Sequence, residues 1–279
     1  MNTLIQGHNF LSWIVTASGL VAIDTGWDLY RGLPEDETDF AALQRSSKTL
    51  ERPLTHILLT HDHIDHVADL DALLARWPNA EVLAHANTSV PKVTRHLSDG
   101  EGMDLGGVKI IAYHTPGHSA QRDELSFWLP GDAFLFCGDL AQPQGPSYSY
   151  ANGPSPVPYF VDGAAYWRSL ERLIALDPQQ MRTGHGNLLG PEQSKQWLRV
   201  TLAVVQRIEE LALDLVERYP DRSDDWLIEG IYDQIVEERG FGFRRGRQRK
   251  SQHTYPDGSD YDLFDVPGLR WAVQAARGV

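Results

Sequence analysis

The chain is expected to be α/β, because short apolar runs bounded by turn residues alternate with amphipathic segments through most of its length. A second observation is the change of character from Gln193 onward, where helical periodicity takes over. A third places chemistry on this frame: histidine and aspartate stand directly after several of the apolar runs, next to glycine. With 279 residues, 42% hydrophobic and 10% aromatic, the chain can bury one substantial core and a small appended module. The expected division is therefore a first domain over 1–192, which carries those histidines and aspartates, and a helical C-terminal extension over 193–279, with no flexible linker between them.

Leu11 to Val15 and Leu20 to Ile23 predict an antiparallel pair around Ala17-Ser18-Gly19, and the second strand runs into the turn Asp24-Thr25-Gly26. Asp39 to Leu50 has helical spacing. Leu54 to Leu59 is a β run that stops at Thr60-His61, and Val67 to Arg76 predicts the helix that follows, closed by Pro78 and Asn79. Further strands are expected at Glu81 to Ala84 and at Val108 to Tyr113, the latter ending on Thr115-Pro116-Gly117-His118. Leu125 to Leu129 and Ala133 to Cys137 predict a hairpin whose second strand ends at Gly138-Asp139. Residues 141–163, rich in Pro, Gly, Ser and Tyr, predict a long ordered loop or lid. A helix over Ala164 to Ala175 and a short strand near Met181 lead to Gly184-His185-Gly186, and helices are expected at Gln193 to Arg218, Trp226 to Glu238 and Leu269 to Arg277.

Charge and composition exclude several classes. The balance of 25 Lys and Arg against 38 Asp and Glu, a net charge of −13, works against polyanionic partners such as nucleic acid. No apolar stretch is long and unbroken enough for a membrane span. No basic region followed by an apolar block marks a secretion signal. The single cysteine, Cys137, allows no internal disulfide and suits a reducing cytoplasm; its apolar neighbours predict a packed core residue.

The decisive stretch is His61-Asp62-His63-Ile64-Asp65-His66. It puts three imidazoles and a spare carboxylate on one tight turn after a strand, the donor types that divalent zinc favours. His61 and His63 are two apart and point the same way from an extended segment; Asp65 and His66 fall at the start of a helix, where they serve a second, nearby ion. The alternative for this motif alone is a solvated histidine-rich turn. His118, Asp139 and His185 change the balance: each follows an apolar run beside a glycine that lets the backbone turn sharply. Together they complete a seven-ligand set, which suits two four-to-five-coordinate ions once a bridging water is added.

The pattern His-x-His-x-Asp-His, followed in order by Gly-His, Gly-Asp and Gly-His-Gly, resembles the metallo-β-lactamase superfamily, and the Ile23-Asp24-Thr25-Gly26 turn is similar to the one that family carries upstream. The likeness covers roughly residues 1–190. It implies an αββα metallo-β-lactamase sandwich with His61, His63 and His118 on a first metal and Asp65, His66 and His185 on a second. By the same resemblance Asp139 bridges both, and Asp24 stabilises the turn without ligating. It also implies two divalent ions as cofactors, zinc best suited and iron or manganese accepted by the same ligands. A water bridging them loses its proton near neutral pH, Asp65 orients the resulting hydroxide, and Asp65 and Asp139 are the expected catalytic carboxylates.

Within the superfamily, the β-lactamases generally lack the bridging aspartate and the persulfide dioxygenases use only the first site. The complete set is similar to glyoxalase II, the quorum-quenching lactonases and the phosphodiesterase and ribonuclease branches. Leu140-Ala141-Gln142-Pro143 lacks the tyrosine typical of the lactonases, and the basic glutathione-binding residues of glyoxalase II are not recognisable. The expected activity is hydrolysis of a carboxylic ester, thioester or lactone. The alternatives are a phosphodiesterase or nuclease and, from another class, a binding or regulatory protein on this fold.

A small-molecule substrate is the expected partner. Tyr148, Tyr150, Tyr159 and Phe160 are candidates for the pocket mouth, with packing of the loop onto the core as the equal alternative. Asn9 and Trp13 are read as strand residues rather than site residues. Trp226, Tyr232, Phe241, Phe243 and Trp271 either dock the helical extension or form a contact in a homo-oligomer. Arg244, Arg245, Arg247, Arg249 and Lys250 form a basic run whose commonest meaning is a solvated loop.

Overall fold

The alternation of apolar residues along the early strands sorts them onto two faces, and the computed structural model, which describes residues 3–145, 155–241 and 261–278, uses both. Strands β1 (Leu4–Gly7), β2 (Ser12–Val15), β3 (Leu20–Ile23), β4 (Leu54–Leu58), β5 (Glu81–His85) and β6 (Arg95–Leu97) form one sheet in that order. The pairs β1–β2 and β2–β3 are antiparallel, and β3 to β6 run parallel. The second sheet has the order β12 (Leu188–Leu189), β11 (Gln180–Arg182), β10 (Phe134–Phe136), β9 (Leu125–Leu129), β8 (Val108–His114) and β7 (Glu101–Leu105).

Period-two geometry sends successive side chains to opposite faces. Ile14, Val21, Ile23, Leu58 and Leu83 meet Ile110, Phe127, Phe134 and Phe136 of the second sheet in one core. Trp13, Leu20, Ala22, Ile57 and Val82 face the other way and pack with Phe40 and Leu43 of α1 (Asp39–Leu50) and Leu70 and Leu73 of α3 (Leu70–Arg76). A strand buried on both faces reads as a continuous apolar run, which is why β3, Leu20-Val21-Ala22-Ile23, stands out in the sequence. Edge strands need no such composition. β1, β6 and β7 carry exposed or charged positions and have no counterpart in the sequence reading.

Local chemistry sets the helix boundaries. Thr38 caps α1, its hydroxyl accepting the Ala41 N–H at 3.1 Å, and Glu51 closes it in the left-handed region at φ 53°. The single helix expected over Val67 to Arg76 is instead α2 (Ile64–Val67) followed by α3, with the break at Asp69. Its carboxylate is committed elsewhere, accepting the Leu29 and Tyr30 N–H groups at 3.0 Å each. The helical turn thus starts three residues earlier than expected, inside the ligand motif.

The chain divides into two compact units, Met1–Asp139 with Leu176–Lys195, and Leu140–Ala175 with Gln196–Val279. This differs from the expected cut at 192/193, since residues 140–175 group with the later helices. Within that second unit, which holds α4 (Gly163–Ala175), most of α5 (Pro191–Arg218), α6 (Asp224–Glu238) and α7 (Val266–Arg277), the reason is aromatic packing. Phe160 stacks on Tyr166 at 5.6 Å between centroids and meets Trp271 edge-on at 6.1 Å. A Cβ on Gly163 would stand 2.2 Å from the Trp271 ring, so only glycine admits that contact. Arg239 donates to the Pro143 and Pro156 carbonyls, tying both prolines to the end of α6. Among the described residues no helix is long and apolar enough to cross a membrane, and Cys137 is buried as expected.

One buried carboxylate in the first unit has a stability consequence. Asp39, fully buried at the start of α1, accepts the Phe10 and Leu11 N–H groups at 2.9 and 3.2 Å and contacts His8 Nδ1 at 2.6 Å. Burial, with neighbouring Asp28, pushes its carboxyl up to about 6 from 3.8. A folded-state value above the unfolded one means that the folded chain binds the extra proton, so this contribution to stability falls as pH rises from 3.8 to about 6. Asp39→Asn removes that slope. Urea unfolding across a range of roughly pH 4–6.5 is expected to show wild type losing up to about 3 kcal/mol relative to the variant as pH rises. Parallel profiles would contradict it.

Candidate metal centre

Four turns at the ends of strands deliver the predicted ligands, all within the first compact unit. The first follows β4. Thr60 donates its N–H to Asp24 Oδ1 at 2.7 Å and its hydroxyl to the same carboxylate at 2.9–3.0 Å. Its hydroxyl oxygen is thereby left to accept from His61 Nδ1, 3.0 Å away, which turns the Nε2 lone pair inward. Asp24 also accepts from His66 Nδ1 at 2.9 Å and fixes that ring in the same sense. The second turn, Pro116-Gly117-His118, precedes β9. The third is Gly138-Asp139 after β10. The fourth is Gly184-His185-Gly186, where a Cβ on Gly186 would lie 2.3 Å from the Asn9 carbonyl oxygen.

The seven side chains fall into two groups, His61, His63 and His118, and Asp65, His66, Asp139 and His185. In the first, His63 Nδ1 lies 3.0 Å from His61 Nε2 and 3.2 Å from His118 Nε2. Those separations are close to the edge of a tetrahedron of nitrogens around zinc, roughly 3.3 Å for Zn–N bonds of about 2.0–2.1 Å. In the second, His185 Nε2 is 2.8 Å from Asp139 Oδ2 and 3.5 Å from Asp65 Oδ2, and His66 Nε2 is 3.5 Å from Asp139 Oδ1. Asp139 Oδ2 is also 3.7 Å from His118 Nε2, so this carboxylate stands between the groups.

The electrostatics of the two groups differ in kind. Burial and the neighbouring imidazoles hold His61 well below the ordinary histidine value, and burial lowers His63, which favours the neutral, nitrogen-donor form at both positions. In the second, burial opposes charge, but Asp139, Asp65 and Asp24 outweigh it and hold His66 well above the usual range. His185 is likewise raised against burial by Asp139. Burial opposes the charge of Asp139 too, yet His185 and His66 hold its carboxyl well below its usual value.

The donor set fits a metal on a further count. Asp65 Oδ2 and His66 Nε2 are buried and have no hydrogen-bond partner among the described residues, although buried polar atoms are ordinarily satisfied. A divalent cation would take a lone pair from both. Imidazole and carboxylate suit zinc, and iron or manganese accept the same set.

The remaining candidates fare differently. Phe160 is fully buried in the second unit against Tyr166 and Trp271, which makes it a packing residue and corrects the pocket-mouth expectation for it. Tyr159, in the same unit, is half-buried with its N–H on Gln142 Oε1 at 2.8 Å and its ring edge-on to Phe264. Tyr148, Tyr150 and the basic run Arg244 to Lys250 lie outside the described residues. Trp13 is the strand residue expected, its indole N–H near Gln6 Oε1 and Ser46 Oγ. Phe10 is not among the sequence candidates. Its ring centroid lies 4.9 Å from that of His185 and 6.2 Å from that of His66, an apolar wall beside the second group. Its only sequence signal is its place between Asn9 and the first predicted strand.

Gly184 offers a steric test of this packing. A Cβ there would stand 2.3 Å from Asp139 Oδ1 and 2.5 Å from His66 Cε1. Gly184→Ala is expected to weaken divalent-cation binding by about 10–100-fold, read by competition with a chromophoric chelator. Unchanged affinity would contradict the contact.

Comparison with known proteins agrees with this architecture. The family described as the metallo-beta-lactamase superfamily matches residues 8–185. A hydroxyacylglutathione hydrolase of Xylella fastidiosa (strain M12) is 33% identical over 133 residues, 48% of this chain and 46% of that protein. Another, of Legionella pneumophila (strain Corby), is 30% identical over 104 residues, 37% of this chain and 40% of that protein. The matched stretch therefore spans less than half the length of these curated relatives. Among solved structures, a metallo-beta-lactamase family protein from Thermus thermophilus aligns with a TM-score of 0.59 at 18% identity, covering 85% of this chain and 94% of that one. A metallo-beta-lactamase from Pontibacter korlensis aligns at 0.54 and 20% identity, covering 73% and 93%. At such identities these structures speak to fold alone. On the strength of the match across residues 8–185 and the ordered ligand turns, the chain belongs to the metallo-beta-lactamase superfamily.

Proposed function

We propose that the protein is a dinuclear metal-dependent hydrolase of a carboxylic ester, thioester or lactone, with a thioester the first choice. The observation that carries this reading is the juxtaposition of the two ligand groups with the Asp139 carboxylate between them, 3.7 Å from His118 Nε2 and 2.8 Å from His185 Nε2. The preference for a thioester rests on the curated relatives, which are hydroxyacylglutathione hydrolases.

In this reading His61, His63 and His118 would hold one divalent ion and Asp65, His66 and His185 the other, with Asp139 placed to serve both. Two such ions would lower the pKa of a shared water from ~15.7 toward neutrality and polarise the scissile carbonyl. The chain's own residues do the rest. Thr60 and Asp24 accept the proton on the outer ring nitrogens of His61 and His66, so the inward nitrogens are the ones offered as donors. Asp65, whose buried Oδ2 lies 3.5 Å from His185 Nε2 and 3.7 Å from His66 Nε2, would ligate and orient the attacking oxygen. Phe10 excludes solvent on the second group's side and offers an apolar surface to an acyl chain. No serine or cysteine nucleophile is required; Cys137 is buried in the core.

The test is a substrate panel of thioesters, esters, lactones and phosphodiesters assayed with zinc, iron or manganese supplied. Thioester or ester turnover is expected, with kcat/KM falling at least about 100-fold in Asp139→Ala. Phosphodiester turnover alone would select the nuclease branch. Turnover that survives both chelation and Asp139→Ala would overturn the hydrolase mechanism.

A further inference from the structure

The turn that carries His61 and His66 is held by Asp24, and the one that carries His118 is held by a different carboxylate, which the proposed chemistry does not use. Glu124 precedes β9 and is 4% exposed. Its Oε1 accepts the Gly117 N–H at 2.9 Å and the Ser119 N–H at 2.5 Å, the amides on either side of His118. Its backbone carbonyl accepts the Thr115 N–H at 2.9 Å, so the start and the end of the turn are both attached to this one residue. The next residue, Leu125, donates its N–H to the Thr60 carbonyl at 2.7 Å, directly before His61. The Glu124–Leu125 junction therefore joins the two turns from which the three-histidine group is built.

One oxygen that accepts from both amides fixes the two peptide planes on either side of His118 at once. The backbone here needs such a constraint. Gly117, at φ 133°, has no side chain to limit its own conformation, and it is the residue that sets the direction in which His118 leaves the turn.

We infer that Glu124 is a positioning residue of the first ligand group, fixing the Gly117–Ser119 backbone so that His118 Nε2 meets His63 Nδ1. This rests on reading that group as a metal centre. Oε1 takes both amides, while Oε2 is buried with no hydrogen-bond partner among the described residues, and burial pushes the carboxyl up to about 7. Both bonds go to a single oxygen, and glutamine meets that geometry through its carbonyl oxygen. Aspartate, one methylene shorter, does not reach both amides.

The experiment is zinc retention against a graded chelator series, with ions per chain counted by native mass spectrometry. Wild type, Glu124→Ala, Glu124→Asp, Glu124→Gln and His118→Ala are compared, each with its thermal midpoint. Expected is a roughly 10–100-fold weaker hold on one ion in Glu124→Ala and Glu124→Asp, approaching His118→Ala, with the second ion unaffected and Glu124→Gln near wild type. Should the alanine variant fail to fold, the aspartate and glutamine pair decides alone. Lowered thermal midpoints with wild-type retention of both ions would make Glu124 merely structural and overturn the inference. Wild type that retains no ion would instead overturn the metal reading beneath it.

Discussion

The Asp24 carboxylate is the interaction on which the rest of the first unit's chemistry depends. It stands at φ 61°, in the left-handed region that aspartate tolerates better than most residues, at the end of a strand buried on both faces. From there it accepts from the Thr60 amide, the Thr60 hydroxyl and His66 Nδ1. It therefore holds the residue before the ligand motif and the motif's last histidine at once. The adjoining Thr25 N–H donates to the His66 carbonyl at 2.8 Å, closing the same turn from the other side. Without this anchor two imidazoles would lose both their orientation and their tautomer.

The second constraint is electrostatic. Five imidazoles and two carboxylates share one largely buried volume, and most of their charge cannot be solvated. The two groups meet it differently: burial and neighbouring imidazoles lower His61, while the carboxylates beside His66 and His185 raise both. A cation would offset the carboxylates of the second group and would meet lone pairs turned inward in the first. The strands before three of the four turns, β4, β8 and β10, share one inter-sheet core.

Much of this is legible in the sequence, for reasons that differ by element. β2 to β5 and the β9–β10 hairpin announce themselves because these strands are mostly apolar and are bounded by turn residues. The seven candidate ligands are legible because they cluster in one His- and Asp-rich turn and recur beside glycine after apolar runs. Edge strands β1, β6 and β7 are not, since many of their side chains meet water. Helix α2 is hidden because its four residues belong to the ligand motif and its edge, polar where a helix would show an apolar stripe. The anchoring carboxylates Asp39, Asp69 and Glu124 are illegible for another reason. Their partners are backbone amides 28 and 29 residues away for Asp39, 39 and 40 for Asp69, and 5 and 7 for Glu124. A lone acidic residue looks the same in a solvated loop. Phe160 shows the limit of composition, because an aromatic in a Pro- and Gly-rich segment suits a pocket mouth and a packed loop equally until Trp271 is seen against it.

The account's central claim is that two adjacent divalent ions share Asp139. The most direct measurement is anomalous X-ray scattering at the zinc edge from crystals grown with zinc. Two peaks per chain are predicted, one among His61, His63 and His118 and one among Asp65, His66 and His185, both within ligand distance of Asp139. One peak, or none in a chain folded as described, would contradict it.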